Sequence, residues 1–225
     1  MAETREGLTS AEEATFNAEW SLMLMRHFRY REVMDVFEDF RDQIKETAAI
    51  AKYELEATFG GANARTNEFG WMPILPQHLL TGDSVPTTYS DVSWDRNITT
   101  ADLIATARSG VGWKYWLPAA DGTVKLSKYC TMIVVGFFDP VPVPKVDAIL
   151  AKIKAVDYPI WYFGDRIAET DYHVMELTEP FVVEKEQEFY LQTHCNHAGQ
   201  DKLRPLGIMY AKGDYMRDKA AYAKI

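Results

Sequence analysis

The chain lacks several of the features that mark well-known classes of protein. Among its 225 residues there are only two cysteines, Cys130 and Cys195, and their wide separation excludes a disulfide framework. The longest unbroken run of apolar residues and glycine is 132–138, far short of the roughly 20 residues that span a bilayer. The first ten residues, MAETREGLTS, are polar and acidic, which is untypical of a secretory signal. We therefore expect a chain made in a reducing compartment, with no membrane span and no secretory signal peptide.

An excess of positive charge is also missing. Lys and Arg number 24 against 33 Asp and Glu, which gives a net charge of −9 at pH 7. Sequence-independent binding to nucleic acid requires a basic surface, and the net negative charge argues against one. No specific nucleic-acid site is evident either. The charge is uneven, since residues 1–60 carry 13 acidic and 7 basic side chains, whereas residues 201–225 carry 3 and 6. An acidic body with a basic tail allows head-to-tail contacts between copies.

No catalytic signature is present. The sequence contains no P-loop, no nucleophile elbow and no HExxH. The glycines of GVG (110–112) lack the rest of a dinucleotide fingerprint and precede a strand-like segment, which is the wrong order. Asp83, Asp91 and Asp95 lie in a predicted loop, where aspartate is common because it forms turns. We predict no catalytic residue and no cofactor.

One cluster, formed by His194, Cys195 and His197, has the composition of a reactive centre. If 189–195 is a strand, His194 and Cys195 point to opposite faces of the sheet and do not share one ion. Cys195 would then lie on the apolar face with Phe189 and Leu191, where a small buried thiol is inert. The favoured interpretation is a strand end followed by a loop.

A metal site is the alternative interpretation of the same segment. His194 and His197 converge only if the chain bends at Asn196, and a catalytic metal usually takes three protein ligands. His173 on an earlier predicted strand is the obvious third ligand. The alternative hypothesis is therefore a metal-dependent enzyme on a cupin-like sandwich, using His173, His194 and His197.

Residues 1–50 are predicted to form an N-terminal helical arm. Apolar residues from Phe16 to His27 and from Val33 to Ile44 recur at helical spacing, and the two stripes meet near 26–32, where we expect a break. Each stripe is narrow and rich in large side chains. The arm must therefore dock on the rest of the chain or on a neighbouring copy.

Residues 51–225 are predicted to form a β-sandwich domain. Alternation over 53–59 predicts a half-buried strand, and the Gly- and Pro-rich segment 60–98 predicts a long loop. Residues 129–138 are apolar on both faces, which predicts a strand in the middle of a sheet. Pro144 stands at the start of a segment with helical spacing, so we predict an inserted helix at 145–155. The fold class is mainly β (α+β), an antiparallel sandwich with a helical arm and one or two inserted helices.

The C-terminal strands carry a resemblance to a known family. YHVMELTEPFVVEKEQEFYLQTHC, followed by LRPLGIMYA, resembles the paired strands and Pro-bearing corners of viral jelly-roll capsid proteins. The resemblance implies a jelly-roll-like sandwich and a structural, self-assembling virion or capsid subunit. Its partners would be copies of itself and other assembly proteins, in the virion or the cytoplasm. The predicted contact residues are Phe16, Trp20, Met23, Phe37, Phe40, Trp71 and Trp94.

Overall fold

A β-sheet that is buried on both faces forms the centre of the fold. The computed structural model describes residues 9–26, 31–59, 69–76, 79, 93–107, 110–117, 124–163 and 173–212. Within these ranges, helices cover one face of this sheet and a second sheet covers the other. The central strand Cys130–Phe138 is buried along its whole length, which confirms the predicted mid-sheet position.

The helices whose bounds are described are α1 (Ser10–Arg26), α2 (Arg31–Asp39), α3 (Arg41–Phe59) and the single turn α4 (Thr100–Leu103). A break is predicted at 26–32, and residues 27–30 of that segment lie outside the described residues, between the end of α1 and the start of α2. In α3 the buried positions are Ile44, Ala48, Ala51 and Leu55, which is one face of a helix. The Nζ of Lys185 donates to the carbonyl oxygen of Glu54, which ties the last turns of α3 to the sandwich.

The first sheet has the strand order β1-β14-β7-β11, and all its pairs are antiparallel. Its strands are β1 (Phe69–Pro73), β7 (Cys130–Phe138), β11 (Val174–Val183) and β14 (Arg204–Lys212). The second sheet has the order β10-β8-β12-β5, with β6 paired to β12 and β9 to β8. Its strands are β5 (Trp113–Leu117), β6 (Val124–Lys125), β8 (Val146–Ile153), β9 (Val156–Asp157), β10 (Trp161–Tyr162) and β12 (Glu188–Cys195).

Two ribbons of short strands complete the described fold. β2 (Arg96–Ile98) pairs with β13 (Gly199–Asp201), and β3 (Thr106–Ala107) pairs with β4 (Gly110–Val111). The first of these is called here the β2–β13 ribbon. One of its strands directly precedes α4 in the chain and the other directly precedes β14. It is the ribbon that positions the charged cluster described below.

Apolar side chains from both sheets meet between them and form the main core. β7 contributes Met132 and Val134, which belong to the same cluster as Phe189 and Leu191 of β12. The opposite face of the first sheet, with Ile133 and Val135, packs on the helices. Because successive side chains of β7 point to opposite faces of the sheet, this one strand contributes residues to both cores. The architecture is three layers, with helices, first sheet and second sheet in that order.

Two predictions of local structure are wrong. The segment 53–59 is the end of α3, where Leu55 is buried while Tyr53 and Ala57 are exposed. The helical part therefore runs to Phe59, past the predicted boundary at residue 50. The predicted helix at 145–155 is strand β8, in the interior of the second sheet.

The helical spacing in β8 has a physical origin in the sheet. A register shift opposite Cys195 interrupts the alternation of the strand. The next core-facing residue after Val146 is therefore Ile149, and Ile153 faces the core as well. Leu150 is buried as well, on the opposite face of the sheet, in a cluster with Trp113. An irregular strand covered on both faces thus imitates the apolar pattern of a helix.

The predicted loop at 60–98 also differs from the structure. The segment 60–98 contains strands β1 and β2. Strands β5 and β6, which follow this segment, both pair with β12. The parts of 60–98 at 60–68, 77–78 and 80–92 lie outside the described residues.

Candidate functional site

The three histidines of the metal hypothesis lie in different places. His173 precedes β11 in the first sheet, and its carbonyl oxygen accepts a hydrogen bond from the backbone nitrogen of Asp139. His194 is on β12 of the second sheet, where its Nδ1 lies 2.6 Å from Oδ1 of Asp147 on β8. The ring nitrogen Nδ1 of His197 lies 2.7 Å from Oδ1 of Asn196. Among the described residues, no three His, Cys, Asp or Glu side chains are grouped as a metal site, so the structure does not bring this triad together.

The predicted contact residues are mostly buried inside the chain. Phe16, Trp20, Phe37, Phe40 and Trp71 all belong to the core between the helices and the first sheet. They therefore do not form an exposed contact face, because a sheet apolar on both sides needs a cover and the helices provide it. Trp94 is partly buried against the main core, with its ring centroid 6.3 Å from that of Trp116. The side chain of Met23 lies outside the described residues.

A charged cluster that no sequence pattern predicted lies at the β2–β13 ribbon. Arg96 on β2 donates from Nε to Oδ2 of Asp201 on β13 at 2.8 Å, and the two residues are cross-strand partners. Its Nη2 donates to Oγ1 of Thr193 at 3.2 Å. The guanidinium also stands 5.7 Å from the centroid of the Trp116 ring. One arginine thus joins the ribbon to β12 and β5 of the second sheet.

Asp139, which follows β7, interacts electrostatically with Asp201 of the same cluster. Both residues are fully buried. Oδ1 of Asp139 accepts a hydrogen bond from the backbone nitrogen of Val141 at 2.9 Å. The remaining oxygens, Oδ2 of Asp139 and Oδ1 of Asp201, accept nothing from any described donor. A buried carboxylate oxygen that accepts no hydrogen bond disfavours the ionised form of its group, so burial here favours a protonated carboxyl group.

The surroundings of Asp139 favour this protonated form. Burial raises its pKa to about 8, and the neighbouring carboxyl group of Asp201 acts in the same direction. The amide of Val141 and the charge of Arg96 oppose the rise. Asp139 is therefore mostly neutral at pH 7, whereas Asp201 forms an ion pair with Arg96. One positive charge thus faces one negative charge in the buried site.

Cys195 completes the cluster and is not activated in it. Its Sγ lies 3.7 Å from Oγ1 of Thr193 and 3.9 Å from Nη2 of Arg96. Burial is the main cause that raises the pKa of the thiol, and it outweighs the opposing charge of Arg96. A nucleophilic cysteine needs the thiolate and access to a substrate, whereas this thiol is buried. The expectation of a small, inert, buried thiol agrees with this placement.

The pair formed by His194 and Asp147 is half-exposed. The imidazole packs edge-on against Trp113, with ring centroids 5.5 Å apart. A Cβ placed on Gly112 would lie 2.6 Å from Nε2 of His194, so the ring lies directly over that glycine. Among the described residues, its side-chain hydrogen bond goes to Asp147 and to no hydroxyl or thiol nucleophile. The pair orients an imidazole but does not form a nucleophile–base arrangement.

Sequence reasoning missed the charged cluster because its members are distant in the chain. Arg96, Asp139 and Asp201 come from three separate segments, and each has the appearance of an ordinary loop residue. One local signal was present. Asp139 directly follows nine buried residues of β7, so an acid there is more confined than an acid in an open loop.

The chain matches no protein-family model, and comparison with curated proteins and with solved structures gives no match. No described helix is both long and apolar enough to cross a bilayer. Arguments about function therefore rest on the architecture and the clusters described above.

Proposed function

We propose that this chain is a structural, self-assembling protein with a jelly-roll sandwich, most simply a virion or capsid subunit. The observation that carries the proposal is the order in which the strands pair. In chain order the main strands of the two sheets are β1, β5, β7, β8, β10, β11, β12 and β14. The first pairs with the last, the second with the seventh, the third with the sixth, and the fourth with the fifth.

Nested pairing of this kind is expected of a jelly roll. A long antiparallel hairpin, rolled so that alternate pairs fall in opposite sheets, gives eight strands in two four-stranded sheets. The pairs β1·β14 and β7·β11 belong to one sheet, and β5·β12 and β8·β10 to the other. Jelly rolls occur in viral capsid proteins, lectins and cupins, so the topology alone leaves the activity open.

The interior of the sandwich favours a structural role over the cupin-like alternative. A cupin-like enzyme would need metal ligands that converge, whereas apolar side chains such as Met132, Ile149 and Leu191 fill the space between these sheets. The histidines of the alternative hypothesis stand apart, and His194 is engaged with Asp147. The charged cluster around Arg96 fastens strands together and presents no exposed acid or base.

Assembly requires contact surfaces other than the buried helix face. One candidate is the edge of the second sheet, where Val156 and Tyr162 are each 59% exposed and Ile160 is also exposed. A second is α1, whose Leu22 and Met25 point away from the core. Apolar residues of this size in two separate patches fit contacts between unlike surfaces of neighbouring copies, which build rings or larger shells.

Light scattering coupled to size exclusion, with negative-stain microscopy of the largest species, tests this proposal. We expect regular particles or sheets from the wild type, and smaller species from a Val156→Ser/Tyr162→Ser double variant. Ile104→Ser is the matched control, because Ile104 is also apolar and exposed but lies next to α4. A monomer of 25.7 kDa at every concentration would overturn the proposal. Stoichiometric metal that is lost in His194→Ala would instead support the enzyme alternative.

A further inference from the structure

Helix α1 has a second face with no charged residue, opposite the face that packs on the fold. Phe16 and Trp20 lie on the packed face and belong to the core between the helices and the first sheet. At 3.6 residues per turn, the following residues fall on the far side of the helix. All of them are exposed, and they are called here the outer stripe of α1: Ala11, Ala14, Thr15, Ala18, Ser21, Leu22 and Met25.

The two halves of the outer stripe differ in the size of their apolar side chains. The first half presents alanines, whereas the second half presents Leu22, which is 52% exposed, and Met25, which is 67% exposed. Ala18 lies midway along the chain between Ala11 and Met25, and also midway between Ala14 and Leu22. A copy of this helix that runs in the opposite direction about Ala18 would therefore place its large side chains over the small ones.

The two hydroxyl groups of the outer stripe already have hydrogen-bond partners within the helix. Oγ1 of Thr15 donates to the carbonyl oxygen of Ala11 at 3.0 Å, and Oγ of Ser21 donates to that of Asn17 at 2.9 Å. Covering the stripe would leave neither hydroxyl unsatisfied, so the usual cost of burying a polar group is avoided. Thr15 and Ser21 are also placed symmetrically about Ala18.

Contacts with α3 fix the direction in which the outer stripe points. Glu13 of α1 forms an ion pair with Lys45 of α3. Nη2 of Arg41, at the start of α3, donates to Oδ1 of Asn17 at 2.7 Å. These contacts and the buried rings of the packed face hold α1 on the fold, so the outer stripe faces away from it in a fixed orientation.

We propose that the outer stripe is a contact between two copies of this chain, with their α1 helices antiparallel about a two-fold axis at Ala18. Met25 of each copy then packs on Ala11 of the other, and Leu22 packs on Ala14. The antiparallel direction also places the positive N-terminal end of each helix beside the negative C-terminal end of its neighbour. A parallel pair would bring like ends together and would set the large side chains against each other.

The size of this contact predicts a weak pair. From Ala11 to Met25 the helix extends about 21 Å at 1.5 Å per residue. One helix pair of this length buries less than the roughly 1,200 Å² of a stable complex. It gains strength where a second contact, such as the edge of the second sheet, already holds the copies together. The inference rests on the proposed self-assembly and deepens it, because it names the surface that α1 meets.

Disulfide cross-linking of the full chain tests the contact and its direction. Ala11→Cys and Met25→Cys are prepared separately and oxidised mildly, either alone or as an equal mixture, and the products are separated on a non-reducing gel. We expect a linked dimer in the mixture and little in either variant alone, because each new thiol faces the other position. Ala57→Cys, an exposed alanine on α3, is the matched control and should link to neither. The native Cys130 and Cys195 are buried.

A charge at the two-fold axis provides a second measurement. Ala18→Glu places two carboxylates face to face in the pair and should weaken association at least about tenfold, as measured by light scattering over a range of concentrations. Ala57→Glu introduces the same charge on α3 and should associate like the wild type.

The outcomes separate this inference from the proposed function. Particles that form without any linkage between Ala11→Cys and Met25→Cys would overturn the helix pair but leave self-assembly in place. Equal linkage in the mixture and in the single variants would also overturn it, because the antiparallel direction would be lost. A monomer at every concentration, with no linked dimer, would overturn both proposals. A mixed dimer that persists in Val156→Ser/Tyr162→Ser would support a helix contact separate from the sheet edge.

Discussion

Gly207 on β14 stands so close to β7 that a Cβ at this position would lie 2.0 Å from the carbonyl oxygen of Ile133. The same Cβ would also meet the side chain of Ile74 at 2.8 Å. A register shift between Leu206 and Gly207 brings the two strands together at this point. Only a residue without a side chain fits this approach of two backbones.

Gly207→Ala should therefore destabilise the fold by about 2 kcal/mol or more, because the backbone has to move apart in the central pair of the first sheet. Urea unfolding followed by circular dichroism measures the change. Gly110→Ala is the control, since Gly110 has a φ of 108° but nothing within 4 Å of an added methyl group. It should cost only about 1 kcal/mol, from backbone conformation alone. Equal costs at the two sites would contradict the steric explanation.

The stability of the fold should fall as the pH rises through the range in which Asp139 affects folding. The pKa of Asp139 is about 8 in the folded chain and roughly 3.9 when unfolded. A raised folded-state pKa contributes stability that is complete below the unfolded value and lost as the pH approaches the folded one. The free energy of unfolding should fall by at most about 1.4 kcal/mol per pH unit because of this group. Thermal unfolding at several values between about pH 5 and pH 8 should show a smaller decline in Asp139→Asn than in the wild type, and parallel curves would contradict the assignment.

Removal of Arg96 should be more harmful than removal of the whole charged pair. Arg96→Met leaves the buried carboxyl group of Asp201 without its ion-pair partner, which should cost about 3–5 kcal/mol. The double variant Arg96→Met/Asp201→Asn removes both charges and should recover part of that loss. Urea unfolding of the wild type, the two single variants and the double variant gives the coupling energy. A double variant as unstable as the sum of the single ones would show that the two residues act independently.

The N-terminal helices should stabilise the chain that carries them. Phe37→Ala should lower the free energy of unfolding by about 3–5 kcal/mol, because the ring is 1% exposed between the helices and the first sheet. Leu22→Ala, on the exposed side of α1, should change it by less than about 0.5 kcal/mol. The measurement is chemical unfolding at a concentration where light scattering finds one species. A Phe37→Ala variant that unfolds like the wild type but no longer associates would contradict this prediction. It would show that Phe37 contacts a neighbouring copy.

The turn between β8 and β9 should be improved by glycine. Lys154 and Ala155 form a two-residue loop with φ angles of 50° and 61°, although neither is glycine. Because a side chain disfavours this region, Ala155→Gly should stabilise the fold by about 1 kcal/mol. Ala57→Gly is the opposite control, since it places glycine in helix α3 and should destabilise by a similar amount. The shift in melting temperature of both variants measures the two effects.

Strands of the sheets could be predicted from the sequence where the apolar pattern was unambiguous. Residues 129–138 were assigned correctly because every position from Cys130 to Phe138 is buried, which favours a central strand at that length. The pattern at 145–155 misled because strand β8 is irregular and covered on both faces. The pattern at 53–59 misled because a few alternating residues do not distinguish a strand from the end of a long helix.

The clusters were less predictable than the strands. A helical stripe such as Phe16 to Trp20 shows that a face is buried but not which chain buries it. The proximity of Arg96, Asp139 and Asp201 depends on how the β2–β13 ribbon and the segment after β7 are arranged in space. No spacing within the sequence records such a contact, since 105 positions separate Arg96 from Asp201.

The pairing of β1 with β14 has a consequence for how the chain is made. Pro73 of β1 is paired with Ile208, so the first sheet cannot be completed until almost all of the described chain has left the ribosome. The helices that precede β1 have their apolar face from the start, but the surface that covers it includes β7 and β14. Contacts this distant in sequence make folding slow. The growing chain therefore exposes an apolar helical face throughout most of its synthesis, which is the period when it most needs protection from aggregation.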